Sequence, residues 1–331
     1  MHDRRPQAMA AFLEAVGWGG VPALPLAGDA SFRRYYRLAR NGKSAVLMDA
    51  PPPQEDTHPY VVVAALLREF GFSAPEVLAE DHDQGFLLLE DFGDDTYTRL
   101  LGRGADEPAL YALAVDTLVA LQRAAEPRGT PDLPPYDLER LLAETALLVD
   151  WYRPLANGLR EECLALWSAV LPDAVVSPPT LVLRDYHVDN LMLLPDRPGV
   201  RGCGLLDFQD AVTGPPSYDL VSLLEDARRD VPGAVSEAMR ARYLAAFPAL
   251  DRDAFLASYA VLGAQRNCKI VGIFTRLCVR DGKPAYLVHI PRVWRLVEHA
   301  LGNPVLAPIS GWLDRHIPPA LRRIPPCPAA P

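Results

Sequence analysis

Three side chains in this chain have the types and the spacing needed to move a phosphoryl group. The segment LRDYHVDN puts Asp185 five residues ahead of Asn190, and seventeen residues further on GLLDFQD brings an apolar run to Asp207. Phosphoryl transfer asks little covalent chemistry of a protein; it asks for position and for neutralised charge. A carboxylate can take the proton of an acceptor hydroxyl. An amide oxygen and a second carboxylate can hold magnesium against phosphate oxygens. Asp185 suits the first task, Asn190 and Asp207 the second. The competing reading makes Asp185 and Asn190 turn formers and Asp207 a helix cap or ion-pair partner.

Such a constellation needs strands and tight loops behind it. RRYYRLAR and KSAVLMDA are β-leaning runs joined by Asn41-Gly42, the strongest short hairpin signal. Residues 58–70 read as a helix ending at Gly71, and PEVLAED and GFLLLED read as two further strands. The result is a small sheet of about five strands with one crossing helix, preceded by an amphipathic N-terminal helix. After Gly93 helical patterns take over, at 107–125, 136–153, 156–170, 217–229, 233–246, 252–278 and 285–301. Only LVLRDYHVDNLMLL and RGCGLLDF interrupt them, as short strands with polar ends. The expected fold class is α+β: a bilobal arrangement with an N-terminal lobe over 1–93, a mainly helical lobe over 94–305, and a proline-rich tail at 306–331 whose last stretch, IPPALRRIPPCPAAP, is expected to be poorly ordered or draped on the surface.

At this point the motifs resemble a known plan. RDYHVDN followed by DFQ resembles the catalytic loop and metal motif of protein kinases, and is nearer to the aminoglycoside phosphotransferase and choline kinase class. A helix begins about ten residues after Asp207, which leaves little room for a protein-substrate platform. GDASFRRYYRL, VLMDAPP, GLLDFQDAVTGPPSYDLVSLLEDARRD and QRNCKIVGIFTRL together resemble the bacterial N-acetylmuramate/N-acetylglucosamine anomeric kinases of cell-wall recycling. The resemblance implies a protein-kinase-like fold, ATP and Mg2+ as cofactors, and phosphorylation of a C1 hydroxyl in the cytoplasm. The rival acceptors are an aminoglycoside, choline or homoserine; the rival from another class is a nucleotide-binding pseudokinase.

The nucleotide side departs from the kinase plan. Aligning AVLM with the kinase strand motif puts Val46 over adenine and Met48 where a lysine is expected. A hairpin cation, Arg33, Arg34 or Arg37, is the expected substitute, against the alternative that these arginines form a solvated strand face. The loop GDASFRR has a single glycine, with Ser31 and Phe32 as candidate phosphate-loop residues. Neither Glu55 nor Glu69 presents itself as the partner of a missing lysine. Backbone groups at Glu90, Asp91 and Phe92 are the candidate adenine hinge.

On the acceptor side, Gln265, Arg266 and Lys269 concentrate donors and cations inside an otherwise apolar helix. Either they clamp a sugar and its carboxylate or they pair with the acids and bases at 225–230. His187, Asp210 and Glu225 complete the acceptor set. Composition agrees with an ordinary folded protein, 50% hydrophobic and 23% charged, and a net charge of −9 argues against a nucleic-acid partner. No apolar run is long enough for a membrane span, and no obligate protein partner is evident. Five scattered cysteines without a CxxC pair read as buried thiols of a reducing compartment.

Overall fold

A computed structural model describes residues 4–26, 32–130, 133–175 and 178–327. Along the chain run α1 (Arg4–Ala15), β1 (Leu24–Pro25), β2 (Arg34–Arg40), β3 (Lys43–Asp49), α2 (His58–Glu69), β4 (Val77–Asp81), β5 (Phe86–Glu90), α3 (Tyr97–Gly102) and α4 (Glu107–Arg128). Then come α5 (Leu138–Leu147), α6 (Asn157–Val170), β6 (Thr180–Val182), β7 (Leu191–Leu193), β8 (Cys203–Leu205) and β9 (Val212–Gly214). The last helices are α7 (Tyr218–Leu224), α8 (Gly233–Ala246), α9 (Arg252–Val279), α10 (Ile290–Ala300) and α11 (Ala307–His316). They form two compact units, Met1–Ala105 with Asp189–Asp210, and Asp106–Val188 with Ala211–Pro331. Where the sequence suggested one cut near residue 93, α3 and the β7–β8 hairpin belong to the first unit. Backbone bridges Thr96–Met192 and Ser73–Gly204 tie them there.

The first unit is built on a five-stranded antiparallel sheet ordered β1-β2-β3-β5-β4. Asn41 and Gly42 both take positive φ, 54° and 74°, as a two-residue hairpin turn matched to strand twist requires. Alternation sorts the two faces. Leu38, Ala45, Leu47, Phe86 and Leu88 pack against Phe12 and Leu13 of α1. The opposite face carries Tyr35, Arg37, Val46 and Met48, because Tyr35 pairs with Met48 and Arg37 with Val46.

The second unit is mainly helical. The 28-residue α9 packs against α5, α7 and α10, and Trp167, Trp294 and Trp312 are fully buried. Between α4 and α7 the chain contributes the short β6–β9 ladder, Thr180–Gly214 to Val182–Val212. Three expectations are corrected here. Helix 217–229 stops at Leu224, because Glu225 leaves helical geometry (φ −117°, ψ 55°) and turns its carboxylate inward to Asn267. The start of the tail is a packed helix, with Ile309, Trp312 and Leu313 of α11 buried; beyond it residues 318–327 lie half-buried or exposed, where the Tyr152 hydroxyl donates to the Leu321 carbonyl at 2.6 Å. Cys278 is bonded to Cys327, so two of the five cysteines are not thiols; Cys163, Cys203 and Cys268 are buried and outside that disulfide.

Candidate active site

Asn190 and Asp207 meet because a short hairpin closes between them. β7 and β8 pair Leu191 with Leu205, and one step beyond the ladder the Leu206 N–H donates to the Asn190 carbonyl at 2.9 Å. The two side chains then stand at the same end of the hairpin, with Asn190 Nδ2 3.5 Å from Asp207 Oδ2. Asp207 holds a left-handed backbone, φ 55°, unusual for a residue with a side chain. Its carboxylate also accepts from Gln209 Nε2 at 2.9 Å and from Arg33 Nη2 at 3.3 Å. One carboxylate and one amide oxygen are hard oxygen donors of the kind that hold Mg2+ when phosphate and water complete the shell. The residues present therefore fit that ion.

The sheet supplies the surroundings of Asp207. Arg33 lies two residues before Tyr35 and so on the Met48 face, whereas Arg34 pairs with Asp49 and lies on the α1 face, where Arg5 binds Asp49. Arg37 is committed to Asp91 at 2.8 Å and Asp94 at 2.9 Å, and donates to the Gly93 carbonyl at 2.7 Å, fastening the segment after β5. Glu90 is held by Arg197, and the Arg197 guanidinium lies 4.9 Å from the centre of the Phe92 ring. Phe92 packs on Gly204 so closely that a Cβ there would come within 2.9 Å of the ring. Val46 is half-buried and Met48 buried, paired with Leu89 and Leu87. Asp210 is exposed and belongs with this cluster, its charge acting on Arg33. Ser31 lies outside the described residues, and the Phe32 N–H donates to Glu55 at 3.1 Å.

Asp185 follows β6 in the second unit. The residue before it, Arg184, has φ 70°, and a conformation of that kind costs on the order of 1–3 kcal/mol unless neighbours enforce it. Asp219, fully buried on α7, enforces it: its two oxygens accept the Leu183 N–H at 2.7 Å and the Arg184 N–H at 2.9 Å. Burial pushes the Asp219 carboxyl up to about 7 against the pull of those two N–H groups. The Arg184 side chain pairs with Glu144, which also takes Lys269 at 3.0 Å and the Tyr136 hydroxyl. Burial would raise the Asp185 carboxyl, yet Lys269, His187, Arg266 and Arg184 together hold it below the ordinary aspartate range. It is ionised throughout the neutral range.

Around Asp185 the expected acceptor residues sort themselves by partner. Gln265 donates to the Leu141 carbonyl at 3.1 Å, and Lys269 is engaged by Glu144. Glu225 accepts from Asn267 at 2.8 Å, and burial pushes it up to about 7. His187 is buried, 3.4 Å from Arg228 Nη1, and burial pulls its pKa below the usual value. Arg266 is 5% exposed, with Nη1 buried and lacking a hydrogen-bond partner among the described residues; Asp226, 2% exposed, leaves Oδ2 in the same state. Buried polar groups are rarely left so in a folded protein. Sequence reasoning passed over Glu144 and Asp219, set Glu55 aside, and counted Asp226 only among the charges at 225–230. Only Asp219 carried a signal, a carboxylate inside the apolar run YDLVSLL.

Residues 22–256 match the profile of the phosphotransferase enzyme family. The chain belongs to that family. This phosphotransferase is 39% identical to the N-acetylmuramate/N-acetylglucosamine kinase of Caulobacter vibrioides, across 98% of its own length and 99% of the relative's. It is 43% identical to the kinase of the same name from Pseudomonas aeruginosa, across 89% and 90%. Among solved structures, a choline/ethanolamine kinase family protein from Mesorhizobium loti superposes with a TM-score of 0.62 at 15% identity, covering 94% of this chain and 99% of the other. The GDP complex of aminoglycoside 2′-phosphotransferase-IIIa gives 0.61 at 17% identity, covering 91% and 99%. These structures show that the phosphotransferase has the α+β kinase-like fold.

Proposed function

We propose that this phosphotransferase moves the γ-phosphoryl group of ATP to the C1 hydroxyl of N-acetylmuramate or N-acetylglucosamine, giving the sugar 1-phosphate in cytoplasmic cell-wall recycling. The observation that carries the chemistry is Asp185, a carboxylate held ionised by the cations Lys269, Arg266 and Arg184 together with His187, on a loop braced by Asp219. The acceptor is taken from the relatives, which match over nearly the whole chain. Asp185 accepts the acceptor proton as the hydroxyl oxygen bonds to phosphorus and the ADP oxygen leaves. A C1 hydroxyl, being hemiacetal, is more acidic than its neighbours and asks less of that base. Asn190 and Asp207 would hold Mg2+, which supplies charge neutralisation on the phosphates. Backbone groups of Glu90, Asp91 and Phe92 take the adenine, with Val46 and Met48 beneath it. Arg266 and Asp226 face the acceptor, His187 stands beside them, and Gln265, Glu225 and Lys269 keep that wall in place.

A panel of amino sugars, aminoglycosides, choline and homoserine, assayed for ADP release, tests the reading. Turnover with the two N-acetylated sugars, and a product without reducing-end reactivity, is the expected result. A phosphorylated product that still reduces would refute the C1 assignment, and turnover confined to another acceptor would refute the substrate.

A further inference from the structure

Met48 leaves the nucleotide side without the strand lysine that kinases use to bind the α- and β-phosphates, and the paired carboxylate that steadies such a lysine needs a counterpart too. The register of the sheet shows where the charge has gone. Met48 pairs with Tyr35, so their side chains share a face, and Arg33 lies two residues along from Tyr35 on that same face. The cation therefore enters from the chain just before β2, one strand over from Met48. An arginine is long enough to span that offset, and its guanidinium reaches Asp207 Oδ1 at 3.3 Å.

A second carboxylate accompanies it. Glu55, in the loop before α2, has Oε2 3.9 Å from Arg33 Nε, and its Oε1 accepts the backbone N–H of Phe32 at 3.1 Å. One glutamate thus binds the backbone beside Arg33 and stands at ion-pair distance from its guanidinium. The side chains of Arg33 and Glu55 are only 11% and 18% exposed, far from the solvated strand face that an arginine cluster on a hairpin could have been. Tyr60 of α2 is buried nearby, its ring 4.9 Å from Phe208, and it feels the charges of both Asp207 and Arg33. The other two hairpin arginines are otherwise disposed: Arg37 is spent on Asp91 and Asp94, and Arg34 is on the α1 face.

We propose that Arg33 is the phosphate-binding cation of this phosphotransferase and that Glu55 is its positioning residue, the pair replacing the usual strand lysine and its glutamate. A planar fork suits two phosphate oxygens at once, which a lysine ammonium cannot match. Proximity to Asp207 places this fork beside the carboxylate assigned to the metal, where the phosphates have to lie. The inference rests on the reading of the chain as an ATP-dependent kinase, but not on which sugar it phosphorylates.

The test uses the full chain in five forms: wild type, Arg33→Ala, Glu55→Gln, Glu55→Asp and the Arg33→Ala/Glu55→Gln double variant. Each is checked for folding by circular dichroism and thermal melting, titrated with Mg·ATP by calorimetry without sugar, and then assayed with the best acceptor. Arg33→Ala should lower kcat/KM for ATP by about 10²-fold, the scale of losing one donor aimed at reacting charge, while the sugar KM stays within about twofold. Glu55→Gln should lower it by about tenfold with Glu55→Asp recovering part of the loss, and in the Arg33→Ala background should cost nothing further, since its role runs through Arg33. Folded Arg33→Ala with wild-type ATP kinetics, or with tighter Mg2+ binding alone, would show the arginine to be merely a counter-ion of Asp207 and overturn the proposal. Full additivity of the two losses would overturn the role of Glu55. If wild type binds Mg·ATP but phosphorylates no amino sugar, the acceptor reading fails while the calorimetric comparison still decides the role of Arg33.

Discussion

A carboxylate that serves as a base inside a protein must stay ionised although burial favours its neutral form. Asp185 manages this through Lys269, His187, Arg266 and Arg184, which outweigh its desolvation. The pH profile should therefore show no acid limb from Asp185 above about pH 4, the ordinary aspartate range, measured as kcat at saturating substrates. Asp185→Asn should lower kcat by about 10²–10⁴-fold, the usual worth of a positioned base, with the dissociation constant of Mg·ATP nearly unchanged. Retained turnover would remove Asp185 from that role. Asp219→Asn would turn an NH2 group toward one of two N–H donors, and leaving a buried donor unpaired costs about 1–3 kcal/mol. We expect a lower melting temperature together with lost kcat, because Arg184 then has no reason to keep its left-handed backbone. That Asn190 and Asp207 come together was legible in the sequence, because the short hairpin between them fixes their separation; Asp185 was singled out with them by residue type and spacing. Asp219 and Glu55 were not, since each serves groups far away in sequence: Asp219 two backbone N–H groups, Glu55 one N–H and the Arg33 guanidinium.

Elements were read well where a side chain announces them and poorly where a close approach decides them. The Asn41-Gly42 hairpin and the strands of the first unit followed from turn chemistry and alternation. The end of α7 did not, because nothing local says that Glu225 will turn inward to Asn267. Gly272 is a similar case. Within a helical pattern a lone glycine reads only as a local cost of about 1 kcal/mol. In the folded chain it is where α9 touches the end of α5: a Cβ there would sit 2.3 Å from the Leu147 carbonyl carbon and 2.4 Å from its oxygen. Backbone cannot step aside as a side chain can. Gly272→Ala should thus destabilise the protein by about 1–3 kcal/mol or more despite the better helix propensity of alanine, read from the urea midpoint. An unchanged or higher midpoint would show that α5 and α9 are not in that contact.

For the molecule as a whole, buried acids set how stability responds to pH. Glu225 and Asp219 are both pushed up to about 7 by burial. In the unfolded chain such groups ionise near pH 4. Between pH 4 and 7 the folded state therefore holds protons at these two sites that the unfolded state has released. Although His187, whose pKa burial lowers, pulls the other way, the pair lowers stability as pH rises across that window, an effect that levels off above it. This is the reverse of the more familiar carboxylate stabilised as an ion. A net charge of −9 works in the same direction, since added negative charge increases self-repulsion, so wild-type data alone would not separate the two. Glu225→Gln separates them. The amide oxygen can still accept from Asn267 while the titration at that site disappears. The variant should show a shallower fall in unfolding free energy from pH 5 to 7, by up to about 1.4 kcal/mol per pH unit, and should gain on wild type most at pH 8. Chemical denaturation at four or five pH values measures it. A slope identical to that of wild type would mean that Glu225 is already ionised when folded, with Asn267 and Tyr259 stabilising the charge rather than the protonated acid.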